Sequence, residues 1–193
     1  MTDAEFLSQT VDVLAPHLSG YIRFLDYDFK PEGSASALVR AVRAFAAAGI
    51  SNRIVALFDN DAAAAEALMT LDKKRLPPNF RVYQLPHLPL AVNCPTLGPN
   101  GLSRMDVNGL AVSVEMFFSE DILRIFENDL SPVQWRGYMS KIGRYQGELM
   151  NKASLQAEFR ARAQEALKRG EMLPSEDWSG MKLILRELTS VFT

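Results

Sequence analysis

The sequence predicts an α/β protein: a mainly parallel sheet flanked by helices, with helical extensions at both ends. Three observations predict it. Residues 54–58, IVALF, form a short β-branched and aromatic run, bounded by Gly49–Asn52 before and by Asp59 and Asp61 after. That is the pattern of a strand buried on both faces. Residues 34–48 and 62–76, on either side of it, carry apolar positions at helical spacing, so strands and helices alternate as βαβ units do. Residues 3–17 and 176–192 are amphipathic at the same period.

The bulk numbers narrow the class. At 193 residues the chain can bury a full core. A composition 48% hydrophobic and 23% charged is ordinary for a globular domain. The net charge of -2 argues against a generally basic nucleic-acid coat, though not against a local basic groove. The single cysteine, Cys94, excludes a disulfide framework or a cysteine zinc site within one chain, and reads as a packing residue. No basic region followed by an apolar core opens the chain and no apolar run approaches about 20 residues. The expectation is a cytoplasmic protein with no membrane span.

The elements follow in order. Phe6, Leu7, Val11, Val13 and Leu14 make 3–17 a helix, with Thr2 or Asp3 as cap and Gly20 at its end. Residues 21–26, YIRFLD, read as the first strand, and Asp26 and Asp28 lie at its end. Lys30–Gly33 make a turn. In the helix 34–48, Ser34 or Ser36 caps the start, Leu38, Val42, Phe45 and Ala46 share a face, and Gly49 stops it. The second strand, 53–58, comes next, so the first two strands should be parallel. The helix 62–76 starts on four alanines and ends at Pro77-Pro78. Residues 80–85, FRVYQL, are a third strand, and the prolines of 86–104 predict a long irregular loop. Residues 107–118 hold Glu115 inside an apolar run, on a short helix or strand-to-helix step, with a further helix starting at Ser119–Asp121. Residues 131–152 are basic and aromatic, 153–169 a polar helix, and 176–192 a last amphipathic helix.

The chemistry centres on carboxylates. Asp59 and Asp61 follow a buried strand with one residue between them, so on an extended backbone both reach one side. Open α/β sheets place their ligands at this end of a strand, and two close carboxylates call for a cation or a proton. Mg²⁺ or Mn²⁺, which favour oxygen ligands, fit. The alternative is that both aspartates cap the following helix. Asp26, Asp28 and Glu32 would project from the same sheet edge, or sit in a solvated turn. Glu115, among Val112, Val114, Met116, Phe117 and Phe118, needs a partner. A metal or a salt bridge to a buried arginine supplies one.

These stretches resemble a Toprim domain, the metal-binding fold of topoisomerases, primases and certain nucleases. More specifically, residues 20–156 are similar to the HEPN/Toprim-associated family of bacterial proteins. The likeness is carried by EGSASALV, AGISNRIVALFDNDAAA, CPTLGPNG, DVNGLAVSVE, PVQW and YQGELMNK. It implies a Toprim-like domain at 20–156 between an N-terminal helix, 1–19, and a C-terminal helical extension, 157–193. It also implies that one of Asp26, Asp28 and Glu32 joins Asp59, Asp61 and Glu115 in holding Mg²⁺ or Mn²⁺. By similarity to the overcoming-lysogenization-defect nucleases, Lys152, or secondarily Lys141, is the downstream lysine.

The activity so implied is metal-dependent cleavage of DNA or RNA, in bacterial defence. Two ions about 4 Å apart would stabilise the attacking and leaving oxygens, and Lys152 would neutralise charge on the phosphate. Arg136, Lys141 and Arg144 would line a phosphate groove or form a solvated face. Trp135 and Tyr138 would stack on bases, although core packing is the commoner role for such residues. The rival reading is a non-catalytic sensor or scaffold whose terminal helices bind a protein partner. A weaker third is a response-regulator-like phosphoacceptor, against which no partner lysine stands on a later parallel strand.

Overall fold

The computed structural model describes residues 3–25, 34–124 and 129–192. It is a mixed α/β structure with six helices and small sheets among those residues. The chain divides into two compact units, one helical and one built around the strands.

The sheet unit comprises 29–113 and 132–150. Helix α2 (Ala35–Ala47) forms where its period predicts, and the Ser34 hydroxyl accepts from the Ala37 N–H at 3.2 Å. Gly49 follows with φ +67°, the left-handed conformation glycine adopts without Cβ penalty. Strand β1 (Ile54–Phe58) leads through β2 (Asn60–Asp61) into α3 (Ala62–Met69), and then to β3 (Phe80–Gln84). β1 and β3 pair in parallel from Ile54↔Phe80 to Phe58↔Gln84. Ala56, Phe58 and Phe80 bury against Val39 and Val42 of α2 and Ala64 and Ala67 of α3. The alanines let α3 pack close. This helix is shorter than expected: Thr70 caps its end, and Asp72 instead caps a 3₁₀ turn at Lys73–Arg75.

The loop expected over 86–104 is structured. A 3₁₀ turn at Pro89–Asn93 leads into strand β4 (Cys94–Gly98), which turns through Pro99-Asn100 into β5 (Gly101–Met105). A two-residue hairpin turn with Gly101 at φ +91° reconciles the proline with antiparallel pairing. Short β6 (Ala111–Val112) pairs antiparallel with β2. The basic, aromatic segment is a hairpin, β7 (Val133–Met139) and β8 (Arg144–Leu149). The four-stranded sheet has the order β5-β4-β7-β8, with only β4 and β7 parallel. The sheets are therefore short and mixed in direction, not the single mainly parallel sheet expected. Residues 21–25, read as a first strand, form none. Their Ile22 and Phe24 pack beside Val11 and Leu185 in the helical unit.

The helical unit comprises 1–28, 114–131 and 151–193. Helix α1 (Asp3–Leu14) stops at Pro16, before the glycine expected to end it, and a 3₁₀ turn at Pro16–Leu18 follows. A second 3₁₀ turn (Val114–Phe117) precedes the short α4 (Glu120–Leu123). Helix α5 (Lys152–Arg169) ends on Gly170 in the left-handed region. Polar in composition, α5 still buries Leu155, Phe159, Ala163 and Ala166 along one stripe. Helix α6 (Ser179–Ser190) buries Met181, Ile184 and Leu185. Phe118 stacks on Phe159 at 4.1 Å, while Phe6 and Trp178 each meet Phe159 edge-on at 5.7 Å. The apolar faces of α1 and α6, proposed from sequence as partner-binding, are thus covered within this unit. Among the described residues no helix is long and apolar enough to cross a membrane.

Candidate functional site

The acidic pair sits where the sequence places it, at the carboxyl end of β1. Asp59 follows Phe58, and its carbonyl accepts from Gln84 Nε2 at 3.1 Å. Asp61 is extended (φ −131°, ψ 176°) and caps α3. Its Oδ1 accepts from the Ala64 N–H at 2.7 Å and its Oδ2 from Gln146 Nε2 at 2.9 Å. Gln146 Oε1 in turn accepts from the Ala63 N–H at 2.8 Å. Two of the N–H groups that any helix leaves unsatisfied at its start are met this way, and the carboxylate lies where the helix dipole favours it. Of the two aspartates that sequence offered as caps, Asp61 caps the helix. Gln146, given no role of its own within the YQGELMNK stretch, completes the cap.

Glu115 lies in the helical unit, on the Val114–Phe117 turn, 3% exposed. Its Oε1 accepts from Gln156 Nε2 at 2.7 Å, and its Oε2 lies 3.4 Å from Lys152 Nζ. Lys152 and Gln156 are one helical turn apart on α5 and so share a face. A lysine in a helix's first turn opposes the dipole, so the nearby Glu115 carboxylate is what suits it there. The ion pair that stood as the alternative to a metal exists, with a half-buried lysine in place of the buried arginine. Asp3, the first residue of α1, belongs to the same cluster. The residue is exposed, but its carboxyl is crowded by protein. Desolvation first, then repulsion from Glu115, raise its pKa, and Lys152 pulls it down. Sequence assigned Asp3 only a capping role, because nothing local tells that α1 approaches Glu115.

Asp59 and Asp61 therefore belong to the sheet unit, Glu115 and Lys152 to the helical unit. Asp26, Asp28 and Glu32 lie outside the described residues. Among the described residues, no group of three or more His, Cys, Asp or Glu side chains is placed to hold a metal ion. Both oxygens of Asp61 and both of Glu115 engage protein donors.

The cations and rings of the β7–β8 hairpin are differently disposed. Arg136 Nε lies 2.7 Å from Glu148 Oε2, and Lys141 Nζ 2.9 Å from Glu66 Oε1. Such exposed pairs contribute roughly 0–1 kcal/mol each. Arg144 has no ion-pair partner among the described residues. Trp135 and Tyr145 meet edge-on with centroids 6.3 Å apart, as do Tyr145 and Tyr138 at 5.1 Å. Tyr138 is 59% and Tyr145 57% exposed, so Tyr138 is not a core residue, contrary to the commoner role. Tyr145 completes the row. The signal for it, a ring opposite Tyr138 across a turn ending in Gly143, becomes readable only once the hairpin is known.

A small polar cavity of about 220 Å³ lies among Asp121, Arg124, Glu158 and Arg162 in the helical unit. It is below the roughly 300–1,000 Å³ of usual ligand pockets, and Arg162 closes on Asp121 and Ser119 across it. Comparison of the chain with protein families, with characterised proteins and with solved structures finds no match.

Proposed function

We propose that this chain binds nucleic acid, with the β7–β8 hairpin as the contact surface. The observation that carries the reading is the row Trp135, Tyr145 and Tyr138, two of whose rings are more than half exposed. Aromatic rings stack on bases whatever the sequence. Arg144 on the same hairpin supplies charge suited to phosphate, while Arg136 and Lys141 would have to leave Glu148 and Glu66 to add to it.

The Toprim resemblance extends the proposal to cleavage of DNA or RNA with Mg²⁺ or Mn²⁺ in bacterial defence. In that extension Asp59 and Asp61 are the acidic pair of a Toprim-like domain. The parallel β1–β3 pairing, with α3 between the strands and the aspartates at the carboxyl end of β1, supports it. Asp26, Asp28 and Glu32, one of which that extension needs as a further ligand, lie outside the described residues. A second reading, a non-catalytic sensor or scaffold, is favoured by the engagement of Asp61 with Ala64 and Gln146 and of Glu115 with Lys152 and Gln156.

One experiment tests both layers. Fluorescein-labelled DNA and RNA are titrated with the full chain at about 0.1 M salt, where charge screening is moderate, and then incubated with Mg²⁺ or Mn²⁺. Binding supports the proposal; no binding to any DNA or RNA removes it. Metal-dependent cleavage abolished in Asp59→Ala supports the extension. Binding without cleavage under either metal leaves the non-catalytic reading.

A further inference from the structure

We infer that the ring row is a stacking platform for single-stranded nucleic acid, which it holds by the faces of unstacked bases more than by the phosphate chain. This rests on the nucleic-acid reading above and names the form of the ligand. The register places Tyr138 opposite Tyr145 and Trp135 opposite Gly147, with an irregularity between Trp135 and Gly137. That irregularity brings Trp135 and Tyr138, three residues apart, to one face. The indole lies between two glycines on the flanking strands. A Cβ at Gly98 of β4 would come to 3.4 Å from Trp135 Cδ1, and one at Gly147 of β8 to 3.1 Å from Trp135 Cζ3. The missing side chains let the indole lie low across the sheet while both tyrosines stand open to solvent.

Base faces are covered by their neighbours in a duplex, so only an unpaired strand offers them to protein rings. The charges fit the same conclusion. Arg136 is engaged by Glu148 and Lys141 by Glu66, and the chain's net charge is -2. Arg144, next to Tyr145 on β8 and so on the other face of the strand, leaves positive charge for about one phosphate at the edge of the row, not a continuous track. Duplex binding relies on such a track. Stacking does not.

The test titrates the full chain into labelled 12-mers: dT, dA, U, a duplex, and an abasic strand that keeps the phosphates without the bases. Single strands are expected to bind at least about tenfold tighter than the duplex or the abasic strand. Tyr145→Ala is expected to weaken single-strand binding about 5- to 100-fold, the range for loss of one stacked base. Tyr145→Phe, which keeps the ring, should recover most of that loss. The logarithm of affinity should fall with that of salt at a slope of about 0.7, one phosphate's worth. Circular dichroism melting of the exposed-site variants controls for folding. Equal affinity for the duplex or the abasic strand, or an unchanged affinity in the Tyr138→Ala/Tyr145→Ala variant, overturns the stacking inference while nucleic-acid binding stands. Absence of binding to every oligonucleotide overturns both. The dT and U arms separate DNA from RNA as the preferred strand.

Discussion

Replacing Gly180 with alanine should destabilise the helical unit by about 2 kcal/mol, although alanine is the better helix former. Gly180 is the second residue of α6. A Cβ built there would lie 2.2 Å from the carbonyl oxygen of Phe117 and 2.9 Å from its carbonyl carbon. The obstacle is backbone of the turn that carries Glu115, so no side chain can swing aside. Relief requires α6 or that turn to move by about 1 Å. Overpacking of this kind costs about 1–3 kcal/mol, and a backbone obstacle puts it at the upper end. Against this, Gly→Ala gains at most about 1 kcal/mol in a helix interior and less in a first turn. The difference is about 2 kcal/mol, or roughly 4–8 °C in Tm for a chain of this size. The assay is urea and thermal unfolding followed by circular dichroism and by tryptophan fluorescence. Trp178, buried two residues away against Phe159, reports on this unit. Arg186→Ala, on the exposed side of α6, serves as control and should stay within about 0.5 kcal/mol. A Gly180→Ala variant that melts at or above the unsubstituted chain would refute the reasoning, because propensity would then have outweighed the contact.

Three further outcomes follow from the charged groups. Arg162 holds the Asp121 carboxyl down from 3.8 to about 2, chiefly by hydrogen bonding. The unfolded state therefore binds more protons in that interval, and stability conferred above pH 4 should be lost as pH falls towards 2. At most about 2.4 kcal/mol is at stake; with Asp121 60% exposed, screening reduces it to about 1 kcal/mol, and an acid titration in which Arg162→Ala behaves identically would count against it. Asp3 has the opposite sign: its raised pKa means stability falls as pH rises past the ordinary carboxylate range, so Asp3→Asn should raise Tm at pH 7 and lose that advantage in acid. Asp61→Ala should cost about 1 kcal/mol as a lost cap, while Asp61→Asn keeps the acceptor for Ala64, turns an N–H₂ towards Gln146 Nε2 and recovers only part of that loss. Equal losses in the two variants would show that the hydrogen bond to Ala64 is not what matters there.

What could be read from the chain follows from the range of the forces involved. α2, β1 and β3 were legible because capping, period and the stopping glycine all act within a few residues, at Ser34, Ile54–Phe58 and Gly49. Residues 21–25 misled because Ile22 and Phe24 alternate like a strand yet bury against helices. Alternation records burial, not pairing. The β7–β8 hairpin was hidden by the irregularity between Trp135 and Gly137, which breaks the period of two. The burial of Glu115 was readable from its apolar neighbours. That Lys152 lies beside it was not, since resemblance gives Glu115 a metal ion and Lys152 a phosphate rather than each other. Asp61 was ambiguous by nature: the residue that best ends a strand at a cation also best begins a helix.

The assembly of the helical unit from three separate chain segments has a consequence for how the chain comes into being. Phe6, Leu7 and Val11 of α1 leave the ribosome early, while their α5 and α6 counterparts lie beyond residue 151. At translation speeds of about 5–20 residues per second the wait is roughly 7–30 seconds. For that interval the α1 stripe lacks its α5 and α6 partners, and Phe118, which also meets Phe6, is nearer in sequence, whereas the strand-bearing unit is complete once residue 150 has emerged. Nascent-chain triage, more than the finished fold, is where substitutions along α1 would first be felt.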